Sequence, residues 1–397
     1  MPSDVARHAQ HSFRALTRER ASVWEMAPDI LRAQIAVTGI AAPTGGEARR
    51  ARWMAGRFRA LGLHPRMDSA GNVIARLAGR SDGGAVAVCA HLDTVLAAEG
   101  STPAERDGPR VVAPGISDNG RGLAAMLAVA RALGEWRALD RPVDFVATTG
   151  EEGAGDLRGA KHYFAGTTPP FAVIAVDGAG DERVVNGALG SRRFRISFAG
   201  PGGHSWSAFG TANPIHAAGH ATASLASARL PRDGNTTVTV SRIGGGHAVN
   251  AIPEGAWLEV DARSTSASSL ARVEQELRAI AAAAAQRENS VRRRSTPEIT
   301  VGVERIGDRP AGATAEHDPL VRAALEATRL VGRGPALATA STDANAAIGL
   351  GIPAIAIGGG GRGGDTHTTR EWFDATDASV GVERALTLVA TMATLPS

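Results

Sequence analysis

Two acidic residues stand side by side at Glu151-Glu152, directly after an apolar run of strand length, residues 143–148. Neighbouring side chains at a strand end point in different directions, so one carboxylate of such a pair can hold a metal ion while the other faces a water. Metal-assisted hydrolysis needs that division of labour. Other acids and imidazoles fall at the same kind of place. His91 and Asp93 follow the run 85–90, Asp118 lies in Gly115-Ile116-Ser117-Asp118-Asn119-Gly120 just ahead of helical spacing, and Asp177 follows the run 171–176. His367 follows the run 352–357 and a glycine-rich loop. Open α/β sheets place their ligand sites at the C-terminal edges of their strands. Two histidines and several carboxylates gathered at one such edge repel one another and are costly to bury unpaired, and a pair of cations resolves this. Imidazole with carboxylate suits zinc, and also manganese or cobalt, one carboxylate bridging ions roughly 3.5 Å apart. Asp93, two residues beyond His91, suits a partner that fixes the imidazole tautomer.

The elements that must position these residues are legible as alternation. Helical spacing over residues 28–63 is broken by a turn-rich stretch at 42–46. Strand-length apolar runs follow at 72–77, 85–90, 143–148 and 171–176, with helical spacing at 120–133 between them. This predicts an α/β domain with a central, largely parallel sheet flanked by helices. After Asn186-Gly187 the period changes: a strand at 193–198, a helix at 213–230, strands at 236–243 and 256–262, a helix at 267–286 and a strand at 298–304 spell β-α-β-β-α-β. The expectation is an inserted ferredoxin-like α+β domain over residues 188–302, which the resemblance given below implies to be a lid or dimerisation domain, and a discontinuous metal-binding domain over 1–187 and 303–397 that resumes with a helix at 319–330 and a strand at 352–357.

The joint pattern of Ala90-His91-Leu92-Asp93-Thr94-Val95, residues 115–122, Thr149-Gly150-Glu151-Glu152-Gly153, Val176-Asp177-Gly178, Gly202-Gly203-His204-Ser205, residues 247–263 and His367 resembles the two-zinc aminoacylase and carboxypeptidase G type metallopeptidases. That family includes peptidase T, acetylornithine deacetylase and succinyl-diaminopimelate desuccinylase, and the resemblance covers most of the chain. It implies the zinc-exopeptidase fold with a lid, Asp118 as a bridging ligand, His91 and Asp177 completing one metal, and Glu152 and His367 the other. Glu151 would deprotonate a metal-bridging water that attacks an amide carbonyl. His204 would reach from the lid of a partner subunit to the developing oxyanion, which makes a homodimer the working unit. Asn250, Arg263, the segment holding Ser341 and the loop holding Gly359 would contact substrate, Arg263 as a fork for a carboxylate.

Competing readings remain at this stage. The same site could release ammonia or an amine from a carbamoyl group or another non-peptide electrophile. Gly358, Gly360 and Gly363 also satisfy the spacing of a dinucleotide-binding loop, but Asp365-Thr366-His367 follows where a helix should begin. A non-catalytic nucleotide binder is therefore the competitor from another class. The stretch Gly155-Asp156-Leu157-Arg158-Gly159 resembles peptidase T and tilts the substrate slightly toward peptide-like molecules.

Bulk composition is consistent with this and adds exclusions. The 397 residues are 43% hydrophobic and only 4% aromatic, so small residues must carry much of the core. With 43 basic against 40 acidic residues the net charge is +3, which calls for no nucleic-acid partner. The single cysteine, Cys89, reads as a buried strand residue and rules out a disulfide framework. No stretch reaches the roughly 18 apolar residues of a membrane span, so the expected setting is cytoplasmic, with no membrane partner.

Overall fold

The continuous apolar runs build a central sheet. In the computed structural model, which describes residues 4–396 except 82, 97–103, 137, 167, 230 and 232, Val86–His91 lies parallel to Val143–Thr148 on one side and to Ala172–Val176 on the other. Ala354–Ile357 extends the parallel set beyond Ala172–Val176. These strands are enclosed on both faces, and period two divides their side chains between two cores. Val86, Val88 and Ala90 point into the larger one, with Phe58, Leu123 and Leu386 from helices Ala48–Ala60, Gly120–Trp136 and Ser379–Thr394. Ala87 and Cys89 point into the smaller one, with Tyr163, Phe164 and Ala347 from Arg158–Ala165 and Ala344–Ile348. A fully buried Phe such as Phe145 is worth about 2–3 kcal/mol of transfer free energy, but most positions are Ala or Val and contribute through number rather than size.

The sheet is mixed at its margins. Val73–Leu77 pairs antiparallel with Val143–Thr148, and Arg183–Ala188 pairs antiparallel with Ala354–Ile357 and parallel with Ala336–Ala340. The last two strands, and the helices Asp4–Ala15 and Thr17–Glu25, carry no sequence pattern strong enough to predict them. A separate antiparallel sheet joins Glu105–Asp107, Arg110–Val112, Trp372–Asp374 and Arg362–Gly364. It is also absent from the sequence reading, because its strands are three residues long and largely polar.

The chain divides into two compact units, one made of residues up to Ala188 and from Ala313 onward, the other of Leu189–Gly312. In the second, the antiparallel sheet runs in the order Thr237–Gly245, Gly255–Ser264, Gly190–Ala199, Thr300–Arg309. Alternate residues of Gly255–Ser264 are buried, and Leu258 and Val260 meet Phe194, Ile196, Ala221 and Leu277 beneath helices Pro214–Ala226 and Ala267–Val291. The first of these helices ends before Leu230, which lies outside the described residues. Asn213 and Ser266 cap the two helices through side-chain oxygens, bonding the amides of Ile215 and Ser269. Among the described residues no helix is long and apolar enough to cross a membrane.

Candidate metal centre

Each acid and histidine at the sheet edge owes its place to a different device. His91 is the last residue of a wholly buried strand, opposite Thr148 in register. After Thr148 the chain turns at Gly150, whose φ of 62° favours glycine, and delivers Glu151 and Glu152, both buried. Asp93 clamps that turn: its Oδ1 accepts from the Glu151 amide at 3.0 Å, and its Oδ2 accepts from the Glu152 amide at 3.0 Å and the Thr44 hydroxyl at 2.8 Å. Burial works to raise the Asp93 carboxyl, yet His91 and the two amides outweigh it and hold it at about 2. The His91 Nδ1 faces the Asp93 carbonyl at 3.1 Å and the Asp93 carboxylate at 3.6 Å. Tautomer control is thus shared with the backbone, while the carboxylate mainly orders the Glu151-Glu152 turn.

Two residues that the sequence reading passed over hold the Asp118 loop. Asn119 donates to the Val176 carbonyl (2.9 Å) and accepts from the amides of Gly122 and Gly178 (3.0 and 3.1 Å), tying the start of helix Gly120–Trp136 to the strand end that carries Asp177. Glu371, almost fully buried, accepts from the amides of Gly115, Ser117 and Asp118, each at 2.8 Å. The only sequence signal for Glu371 was an acid next to Trp372-Phe373, a weak one. His367 sits between strands Arg362–Gly364 and Trp372–Asp374, with φ 63°, a conformation costly for a residue other than glycine and common where a site dictates it.

Together these devices converge six side chains. The Asp118 Oδ1 lies 2.9 Å from His91 Nε2, and its Oδ2 lies 3.3 Å from His367 Nε2. Asp177 Oδ1 is 3.6 Å from His91 Nε2, and Glu152 Oε1 is 3.0 Å from His367 Nε2. Donor atoms of His91, Asp118 and Asp177 lie within 4.8 Å of one another, as do those of Asp118, Glu152 and His367, and those of His91, Glu151 and Glu152. The cluster attracts positive charge. Burial lowers His91, but bonds from Asp118, Asp177 and Asp93 raise it well above its ordinary value overall. Asp118, with Glu152 beside it, lifts His367 to about 9. Burial pushes Glu152 up. Imidazoles raised by neighbouring carboxylates mark a surplus of acceptors, and divalent ions held among these donors would relieve it.

Other residues singled out from sequence are placed elsewhere. Ser341 lines a cavity that Asp118 and Asp177 also line. Gly359 is buried, its amide bonded to the Gly178 carbonyl (2.9 Å) and its carbonyl to Arg121 (2.8 Å), so the expected substrate contact there gives way to an internal one. The glycine loop continues into strand Arg362–Gly364 with no helix after it, so the dinucleotide reading lacks the helix N-terminus on which it depends. His204, Asn250 and Arg263 belong to the second unit. His204 is exposed, in a short strand opposite Ala251, and its Nδ1 accepts from the Trp206 amide at 3.1 Å. The exposed Asn250 accepts from the Ser205 amide through its carbonyl, and Arg263 pairs with Asp261 at 2.7 Å.

A mixed, mainly parallel sheet with a His and carboxylate donor set at its carboxyl edge, in a chain that also carries a separate antiparallel unit, is the arrangement of a metal-dependent hydrolase. Residues 72–192 match the model of peptidase family M28, and residues 186–289 match the peptidase dimerisation domain. The two matches together support a two-metal, M20-type peptidase family. It is similar to the Bacillus subtilis protein YqjE, 25% identical over 332 residues, 79% of this chain and 85% of that one. The same fold is seen in aminopeptidase PepT from Bacillus cereus, with a TM-score of 0.73 and 21% identity over 93% of this chain and 99% of that one. It is seen again in YXEP of Bacillus subtilis, a dinuclear metal-binding peptidase of the M20 family, with a TM-score of 0.66 and 17% identity over 92% and 98%.

Proposed function

We propose that the chain hydrolyses the amide bond of a small carboxylate-bearing substrate, a di- or tripeptide or an N-acyl amino acid. The observation that carries this reading is Asp118, whose two oxygens each face a different histidine, with Glu151 alongside the cluster but outside the two triads that share Asp118. His91, Asp177 and Asp118 would hold one ion, and Glu152, His367 and Asp118 the other. Zinc suits this ligand set, and manganese or cobalt also fits it. Ions held there would supply polarisation of the scissile carbonyl and a more acidic attacking water.

The chain's own groups do the rest. Glu151 accepts the proton of the water as its oxygen bonds to the carbonyl carbon. Glu151 then delivers that proton to the amine nitrogen as the carbon–nitrogen bond breaks. Asp93 keeps the two glutamates apart by fixing both of their amides. The match to a dimerisation domain supports a homodimer in which His204 of the partner subunit steadies the oxyanion, while Asn250, Arg263 and Ser341 bind the substrate.

The decisive experiment is Glu151→Ala in metal-loaded protein. It should retain two equivalents of divalent ion and lose about 10²- to 10⁴-fold in kcat on a panel scored by amine release. Loss of metal instead would show that Glu151 and Glu152 have exchanged roles. Ammonia release without a new carboxylate in the product would replace peptide hydrolysis with the deaminating alternative.

A further inference from the structure

Beside the ligand cluster, the catalytic unit contains a cavity of about 600 Å³. Its charged lining consists of Asp118 and Asp177, already committed to cations, and two arginines, Arg183 and Arg362. Arg362 lies on the strand leading to His367, and Arg183 opens the strand after Asp177. Both are exposed, and among the described residues neither takes part in an ion pair. Arg333, in the adjoining cavity, is by contrast held by Asp181 at 3.0 Å and Asp377 at 3.8 Å. The acid opposite Arg362 in register, Asp374, feels its charge but accepts from the Thr376 amide at 2.8 Å.

The floor of this cavity adds to the positive field. Arg384 is fully buried and donates to the carbonyls of Gly358 (2.8 Å), Arg183 (3.2 Å) and Gly180 (3.4 Å), all three in the lining. Arg384 has no carboxylate partner among the described residues, and burial leaves it charged at neutral pH, at about 10. One buried cation behind two exposed ones, with Val185, Ile357 and Trp372 as apolar walls, suits a carboxylate on a short methylene stem.

We propose that this cavity is an acid-recognition subsite in which Arg362 and Arg183 bind a second carboxylate of the substrate, so that the preferred amide carries a glutamate-like acidic side chain. Guanidinium is suited to this because it grips carboxylate with two parallel N–H donors and keeps its charge. The inference rests on the amide-hydrolase reading and narrows its substrate class.

The test compares Glu with its isostere Gln at each position of alanine tripeptides, and N-acetyl-Glu with N-acetyl-Gln, using metal-loaded enzyme. Wild type should prefer the Glu member of at least one pair by about tenfold or more in kcat/KM, a size typical of a charge-assisted contact. That ratio should collapse toward one in Arg362→Gln and in Arg183→Gln/Arg362→Gln, and recover in part in Arg362→Lys. Equal rates on Glu and Gln in the wild type, or a preference that survives both Gln variants, overturns the subsite. If no panel member is hydrolysed with zinc, manganese or cobalt present, the hydrolase reading fails, and calorimetry judges the subsite separately. Glutarate should then bind about tenfold tighter or more than its monoamide, with the difference lost in Arg362→Gln. Equal binding of the two, or a difference indifferent to Arg362, overturns it.

Discussion

Asp118 does what no single-metal ligand has to do: it presents one oxygen to each histidine. Its orientation is therefore set by its surroundings, chiefly the three amide bonds that Glu371 accepts. Glu371→Gln turns one acceptor into an NH₂ group facing a backbone amide. Metal affinity should fall about 10- to 100-fold in chelator competition, the usual effect of removing a group that orients a ligand, while kcat at saturating metal stays near the wild-type value. Unchanged affinity would reduce Glu371 to a loop anchor. Asp343 provides a second test at this scale. Its Oδ2 accepts from the Thr148 hydroxyl at 2.5 Å, its Oδ1 has no partner among the described residues, and burial pushes its carboxyl up to about 6. An acid whose folded pKa is raised binds its proton more tightly when folded, so ionisation costs stability as pH rises from about 4 to about 6, and the cost stays constant above that. Urea midpoints of chelator-treated Asp343→Asn and wild type should therefore converge near pH 4 and separate by pH 7 in favour of the variant. A gap independent of pH would contradict this.

At the scale of elements, the site depends on how closely helix Gly120–Trp136 approaches the end of strand Ala172–Val176. A Cβ on Gly122 would lie 2.0 Å from Asn119 Oδ1 and 2.2 Å from the Val176 carbonyl. Gly122→Ala should thus push the helix off the sheet edge, cost about 1–3 kcal/mol and weaken metal binding. Gly134, near the other end of the same helix, has open space where a Cβ would stand, so Gly134→Ala should stabilise by about 0.5–1 kcal/mol through helix propensity alone. Thermal midpoints moving the same way in both variants would refute the packing account. The strands that carry His91, Glu151 and Asp177 were readable because burial on both faces leaves continuous apolar runs. The hairpin that carries His367 was not, since Arg362-Gly363-Gly364 and Trp372-Phe373-Asp374 gain strand identity only by pairing with each other and with Arg110–Val112.

For the whole molecule, the proposed role of His204 makes catalysis a property of the dimer. His204→Ala should lower kcat while leaving metal content at two equivalents. Mixing it with Glu151→Gln should then restore activity, because each mixed dimer contains one site with an intact Glu151 and an intact His204 from the other protomer. Two inactive parents that stay inactive after subunit exchange, verified by a tagged pull-down, would place His204 in its own protomer's site or outside catalysis.

The chain order of acids and imidazoles, the α/β alternation and the β-α-β-β-α-β insertion were determined by sequence alone, because strand and helix periods and the chemistry of carboxylate and imidazole are local properties. Tertiary structure decided which oxygens of Asp118 meet which histidine, that Asp93 orders the glutamate turn more than the imidazole, that Glu371 and Asn119 set the Asp118 loop, and that Gly359 faces inward. Each of those is a contact between residues tens to hundreds of positions apart, and burial of a polar group becomes costly or useful only once the fold has chosen its partner.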